Sequence, residues 1–171
     1  MATYTSVQAG NSRPMPTPDQ PGELYSIRGE IDLATGSATG GVITLGANDV
    51  LELVRLPVAA KIVDWIIDID QIDSNGTPTL TASVGFTRDW LNAATGANVT
   101  ATFAELQAVG AIGRTAGGSV VRPTLPASFR LAPVDNTGER YIGLKIGAAA
   151  ATQVNGKIGF SIVYRGASYG A

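Results

Sequence analysis

Lys61-Ile62-Val63-Asp64-Trp65-Ile66-Ile67-Asp68-Ile69-Asp70 is the stretch that decides how this chain folds. Val63, Trp65, Ile67 and Ile69 recur at every second position, with Asp64 and Asp68 on the opposite parity beside Ile62 and Ile66. A period of two belongs to a β-strand, whose successive side chains point to opposite faces of a sheet. The strand is closed by Asp73-Ser74-Asn75-Gly76, where Asn-Gly tolerates the positive φ of a tight hairpin. Thr79 to Phe86 then alternates again, with Leu80, Ala82, Val84 and Phe86 expected inward and Thr79, Thr81 and Ser83 outward.

The same signal extends in both directions. Upstream lie Leu24–Leu33, Val42–Leu45 and Val50–Leu56, separated by the small-residue loop Ala34–Gly41 and by Gly46-Ala47-Asn48-Asp49. Downstream lie Gly118–Arg122, Ser128–Leu131, Glu139–Ile146 and Gly156–Arg165. Strands spaced about 8–14 residues apart and joined by Gly, Asn, Asp and Pro turns predict an all-β, two-layer antiparallel β-sandwich, jelly-roll-like in topology. Trp90 to Ala104 carries no charged residue and reads as a long loop. Thr102–Val109 is the best place for a helix, with Thr102 as cap and Phe103 and Leu106 at i, i+3. At most one short helix is expected.

Residues 1–22 differ in kind. Pro14, Pro16, Pro18 and Pro21 put four prolines into eight positions. Each fixes φ, removes a donor and pushes the preceding residue toward extended geometry. An extended Pro-rich N-terminal arm of polyproline character is expected over 1–22, ahead of a sandwich domain over 23–171. If the arm lies across a neighbour, Tyr4, Val7, Arg13, Pro14, Met15, Pro16 and Pro18 are its contact residues. Trp90, which opens the uncharged loop, is a further candidate contact, because tryptophan closes cores and anchors interfaces more often than it stacks on sugars.

Composition removes most chemistry. The 171 residues include no Cys and no His, so disulfides, thiolate nucleophiles, Cys/His zinc sites and a Ser-His-Asp triad are all excluded. Twelve basic against 14 acidic side chains leave a net charge of −2 and no footprint for nucleic acid. Asp64, Asp68, Asp70 and Asp73 lack the spacing of a calcium loop, and Gly36-Ser37-Ala38-Thr39-Gly40 does not fit a nucleophile elbow. No stretch approaches the ~20 apolar residues of a membrane span, and Met1–Thr5 carries no signal-peptide pattern. The expectation is a protein that is not an enzyme, without cofactor, metal or membrane partner. Only 15% of residues are charged, which asks what covers the surface.

One block goes beyond periodicity. Asn48-Asp49-Val50-Leu51-Glu52-Leu53-Val54-Arg55-Leu56-Pro57-Val58-Ala59-Ala60-Lys61-Ile62-Val63-Asp64-Trp65, then Asp73-Ser74-Asn75-Gly76-Thr77-Pro78-Thr79-Leu80 through Val84-Gly85, with a later Tyr141-Ile142-Gly143-Leu144, resembles a block in small structural proteins of tailed bacteriophages. The resemblance is to head decoration (cement) proteins. It implies a homotrimer that binds the major capsid protein on the capsid exterior, is assembled in the host cytoplasm and clamps neighbouring subunits. The alternative is a carbohydrate- or receptor-binding sandwich of a tail or fibre, which requires an exposed aromatic platform near Trp90.

Overall fold

The computed structural model describes residues 1–6, 9–10, 23–36, 40–58, 60–92, 95–123 and 138–166. Among them are eleven strands and no helix: β1 (Thr3–Thr5), β2 (Leu24–Asp32), β3 (Val50–Leu56), β4 (Lys61–Ile69), β5 (Thr81–Phe86), β6 (Trp90–Asn92), β7 (Ala97–Val99), β8 (Gln107–Ala111), β9 (Ser119–Val121), β10 (Arg140–Ala148) and β11 (Lys157–Arg165). Sheet A has the order β1-β3-β10-β5-β8 and sheet B the order β2-β11-β4-β9, with β6-β7 a small separate hairpin. From β2 to β5 the chain changes sheet at every step, and it does so again from β8 to β11. That is the wrapping of an eight-stranded jelly roll, with β1 added to one edge in parallel.

The core lies between the sheets because the alternating apolar residues all turn inward. Trp65, Ile67 and Ile69 of β4 are buried with Val84 and Phe86 of β5, Ile142, Leu144 and Ile146 of β10, and Ile158, Phe160, Ile162 and Tyr164 of β11. At the start of β4 the expected parity fails. Val163 pairs with Asp64 and Tyr164 with Ile62, so Val63 is an extra residue in a β-bulge. The bulge turns Val63 outward, at 36% exposure, and brings Ile62 into the core.

Three further expectations are corrected. Val42–Leu45 is not a strand: its backbone is satisfied by the Gln153 amide, which accepts from Leu45 N (2.8 Å) and donates to Ile43 O (2.7 Å). Ile43 and Leu45 are nonetheless buried. Asp73–Gly76 is no tight hairpin, since β4 and β5 lie in different sheets and neither Asn75 nor Gly76 has positive φ. Thr102–Val109 is not a helix. Thr102 N does donate to Glu105 Oε1 (2.6 Å), as in a capping box, but Phe103 is left-handed (φ 62°) and Leu106 N turns to Val84 O (3.0 Å). The residues that follow form β8 against β5 instead. The uncharged loop likewise contains the β6–β7 hairpin. The expected strand Ser128–Leu131 lies outside the described residues.

Candidate assembly surfaces

The two sheets present their outer faces differently, and glycines decide the difference. On sheet A a Cβ at Gly85 would lie 2.2 Å from Glu105 Oε2 and 2.5 Å from the Phe103 carbonyl carbon. The 103–105 segment therefore rests directly on β5, held there by Phe86 N donating to Glu105 Oε2 (3.0 Å). Lys145 places its ammonium 4.6 Å from the Phe103 ring centroid and closes the other side of this cover.

Beside it a polar cluster covers a second part of the sheet, while Val109 on β8 stays 61% exposed. Glu52, on β3, is only 2% exposed and accepts from Arg88 Nε (2.7 Å) and Nη2 (2.8 Å). Thr5 Oγ1 (3.3 Å) and Thr87 Oγ1 (3.2 Å) also donate to it. The Arg88 guanidinium stacks 3.7 Å above the Tyr141 ring, and its hydrogen bond to Glu52 raises its pKa. Sheet A thus carries a partial lid of its own, over β3, β5 and the middle of β10.

Sheet B has no such cover among the described residues. Outward on β2 stand Ser26, Arg28 and Glu30; on β11 Arg165, Val163, Ser161 and Lys157; on β4 Lys61, Asp64, Ile66 and Asp68; and on β9 Val120, at 59% exposure. Gly159 interrupts the β11 row and forms the floor of an open groove of about 450 Å³, walled by Arg28, Glu30, Asp68 and Ser161. The Asp68 carboxylate leans over the glycine: a Cβ there would meet Oδ1 at 2.4 Å. Lys157 bonds Glu30 Oε1 (2.9 Å) at one end of this face.

The N-terminal strand is anchored by the body of the sandwich. Thr3, Tyr4 and Thr5 pair in parallel with Val50, Leu51 and Glu52, and the Tyr4 hydroxyl donates to Thr44 O (3.2 Å) while the ring packs against the core. The start of the arm is therefore part of sheet A. Val7, Arg13, Pro14, Met15, Pro16 and Pro18 lie outside the described residues.

Trp90 is corrected as a surface residue. It is 9% exposed, packs against Phe86 (ring centroids 5.6 Å) and lies under the Arg140 guanidinium at 5.5 Å. Its indole fills the end of the core and offers no platform for a ring.

The aspartates do not converge. Among the described residues no group of His, Cys, Asp or Glu is placed to hold a metal ion. Asp73 is wholly buried and accepts backbone N–H groups from Thr79 (2.7 Å), Leu80 (3.1 Å), Ala151 (3.0 Å), Thr152 (3.1 Å) and Asn75 (3.3 Å). Burial pushes its pKa up, but the N–H groups of Ala151, Thr152, Thr79 and Leu80 outweigh it and hold the carboxyl well below the usual range. Asp73 is the knot that ties the β4–β5 crossing to the β10–β11 turn.

The sheet B groove was not legible in the sequence, although Gly159 was a signal for it: a glycine inside a strong strand marks a flat or closely approached patch.

The fold and its faces can now be set beside known structures. A chain in the capsid of Ralstonia phage GP4 is 29% identical, with a TM-score of 0.77, the match covering 98% of this chain and 99% of that one. The chain is a phage capsid-related protein. A chain of the cyanophage Pam1 capsid asymmetric unit (18% identical, TM-score 0.58, covering 94% and 96%) shares the fold. So does one in the acidic stable capsid of Helicobacter pylori bacteriophage KHP30 (16%, 0.50, 85% and 89%). No family model and no curated protein matches the chain.

Proposed function

We propose that this phage capsid-related chain is a head decoration protein, a homotrimer that sits on the capsid exterior and clamps neighbouring copies of the major capsid protein. The observation that carries the reading is the end-to-end match to a phage capsid chain, which spans 98% of this sequence and 99% of that one. A jelly roll with one sheet partly covered by its own 103–105 segment and a second uncovered among the described residues suits a part that stands on a surface and meets neighbours. Its role is static and non-catalytic. Three copies joined about an axis multiply modest contacts through avidity, and cyclic closure ends the assembly at three. The carbohydrate-binding alternative loses its platform with Trp90 in the core.

Two measurements test this reading. Native mass of the purified full chain is expected to be a multiple of three protomers. Imaging of virions after adding the protein to heads that lack it is expected to show threefold density on the outside. A monomeric protein that leaves such heads bare would overturn the proposal.

A further inference from the structure

Four connections meet at one end of the sandwich: β2 to β3, β4 to β5, β8 to β9 and β10 to β11. The register places them together, since Asp32 pairs with Lys157, Ile69 with Ile158 and Ser119, Val50 with Lys145, and Thr81 with both Ala148 and Ala111. The connections are bonded to one another. Leu33 N donates to Gly156 O (3.0 Å), Ile72 N to Gly113 O (2.8 Å), Ser74 N to Thr152 O (3.0 Å) and Asn75 Nδ2 to Thr152 Oγ1 (3.0 Å). Asp73 gathers N–H groups from two of them. This end is a preformed surface, and it is almost free of charge. Among the described residues of 33–49, 70–80, 112–118 and 149–156, Asp70 is the only exposed charged one. Asp49 and Asp73 are buried, and Arg114 turns its guanidinium back onto Leu80 O (2.6 Å) and Thr79 O (2.8 Å). What faces outward is Ala, Gly, Thr, Ser and Asn, with Val42 at 66% and Val154 at 37% exposure. At the opposite end Glu23, Arg88, Asp89, Glu139 and Arg165 are exposed beside the uncharged β6–β7 hairpin.

We infer that the uncharged end is the end that docks on the shell, its occupant the outer surface of the major capsid protein. This orientation rests on the decoration reading above. Charge is depleted from the buried centre of protein interfaces, because an unpaired ion costs far more to dehydrate than a hydroxyl or an amide. An end with one exposed carboxylate has nothing to offer a nucleic acid or an anionic membrane. It suits a protein surface that meets Val42 and Val154 with apolar atoms and the Thr, Ser and Asn side chains with hydrogen bonds. Loops already tied to one another lose little freedom on docking, so less of the contact energy is spent on ordering them.

Area favours the shell over a second copy as the occupant. Five strands at ~4.8 Å make a width of about 24 Å, and two sheets ~10 Å apart with their outer side chains a thickness of about 20 Å. One end then covers roughly 480 Å², and two ends apposed would bury about 960 Å², short of the roughly 1,200 Å² where stable interfaces begin. A threefold axis along the strands turns the same end of every copy to the same side. Three ends on one continuous surface contribute about 1,400 Å² per side, well within the stable range. The charged ends of all three copies then face water.

Two measurements with the full chain and heads that lack it test the docking end. In hydroxyl-radical footprinting of wild type, Val42 and Val154 are expected to lose most of their oxidation on binding heads. Leu24 and Val58, exposed at the opposite end, are expected to keep theirs. The double variant Val42→Glu/Ala116→Glu puts two carboxylates into the contact and is expected to bind heads roughly tenfold or more weakly. Both positions are exposed, so its native mass and circular dichroism are expected to match wild type. Val58→Glu is expected to bind heads as wild type does. Protection of Leu24 and Val58 in place of Val42 and Val154 would overturn the inference and leave the decoration role standing. So would full affinity in the double variant, or an equal loss in Val58→Glu. A wild-type protein that leaves the heads bare would overturn both.

Discussion

Removing the Arg88 guanidinium tests whether the seal on sheet A is held by charge. In Arg88→Ala the Glu52 carboxylate, 2% exposed in the wild-type protein, keeps only the Thr5 and Thr87 hydroxyls. Breaking a fully buried ion pair from one side costs about 3–5 kcal/mol. The Arg88 side chain is 53% exposed, so water screens the pair and enters when it leaves. A loss of about 2–3 kcal/mol is expected. For a domain of this size each kcal/mol moves Tm by about 2–4 °C, giving a fall of roughly 4–12 °C by calorimetry. The reasoning also fixes the sign of a second substitution. Glu52→Gln in the Arg88→Ala background removes the stranded charge and retains an acceptor for the hydroxyls, so the double variant should melt above the single one. An Arg88→Ala protein within 1 °C of wild type, or a double variant less stable than Arg88→Ala, would refute the argument.

Other consequences follow from the same structure. Asp73→Asn cannot serve five N–H donors with one carbonyl oxygen, so its melting temperature should drop at pH 7. Because the folded pKa of Asp73 lies below its ordinary value of 3.8, its stabilisation is complete above that pH. It is lost as the pH falls further, toward the folded pKa. The gap between wild type and Asp73→Asn in a melt series from pH 7 to 2 should therefore stay constant down to about 4 and narrow below it; a gap that widens below pH 4 would contradict this. Gly85→Val drives a side chain into Glu105 and the Phe103 backbone and should lift the 103–105 cover, costing about 1–3 kcal/mol and opening that segment to proteolysis. Trp90→Ala should cost about 3–5 kcal/mol as a core cavity and leave any weak glycan binding unchanged; a loss of glycan affinity at intact fold would return Trp90 to the surface.

The strands were legible because burial of one sheet face writes itself as alternation, and β2, β3, β4, β10 and β11 fall within a residue or so of where that pattern puts them. What alternation cannot show is whatever depends on the partner strand. The Val63 bulge is visible only once β11 is known to skip it. The Ile43–Leu45 segment is held by Gln153, more than a hundred positions away, so no local window contains its reason for not being a strand. At Thr102–Glu105 the local helix signal is real and its capping bond is made. It loses because a left-handed Phe103 sends the chain back to β5, where sheet pairing satisfies more backbone groups than one or two isolated turns. For the sites the limit is the same. Trp90 carried an exposed-aromatic signal by position in the sequence, yet Arg140, fifty residues later, is what encloses it.

The low charge takes on a different meaning when its location is known. At 15% charged residues the surface had two explanations, an uncharged polar coat or concealment in an assembly. Concealment by a partner would suit the uncharged Trp90–Ala104 stretch. Much of it instead serves the chain itself: Trp90 and Ala101 are in the core, and the residues just beyond lie on β5. Sheet A then needs few exposed charges because its own segment covers it. The strand charges that remain are concentrated on the outer face of sheet B, where Arg28, Glu30, Lys61, Asp64, Asp68, Lys157 and Arg165 share three adjacent strands. A solvated face with so many charges would be expected to intersperse the signs. This face does so: from Lys61 and Arg165 its rows run through Asp64, Arg28, Glu30 with Asp68, and Lys157. The scarcity of charge therefore reflects an uncharged segment spent on the chain's own core and on β5, while the charges of the second sheet are spread in alternating sign along its outer face.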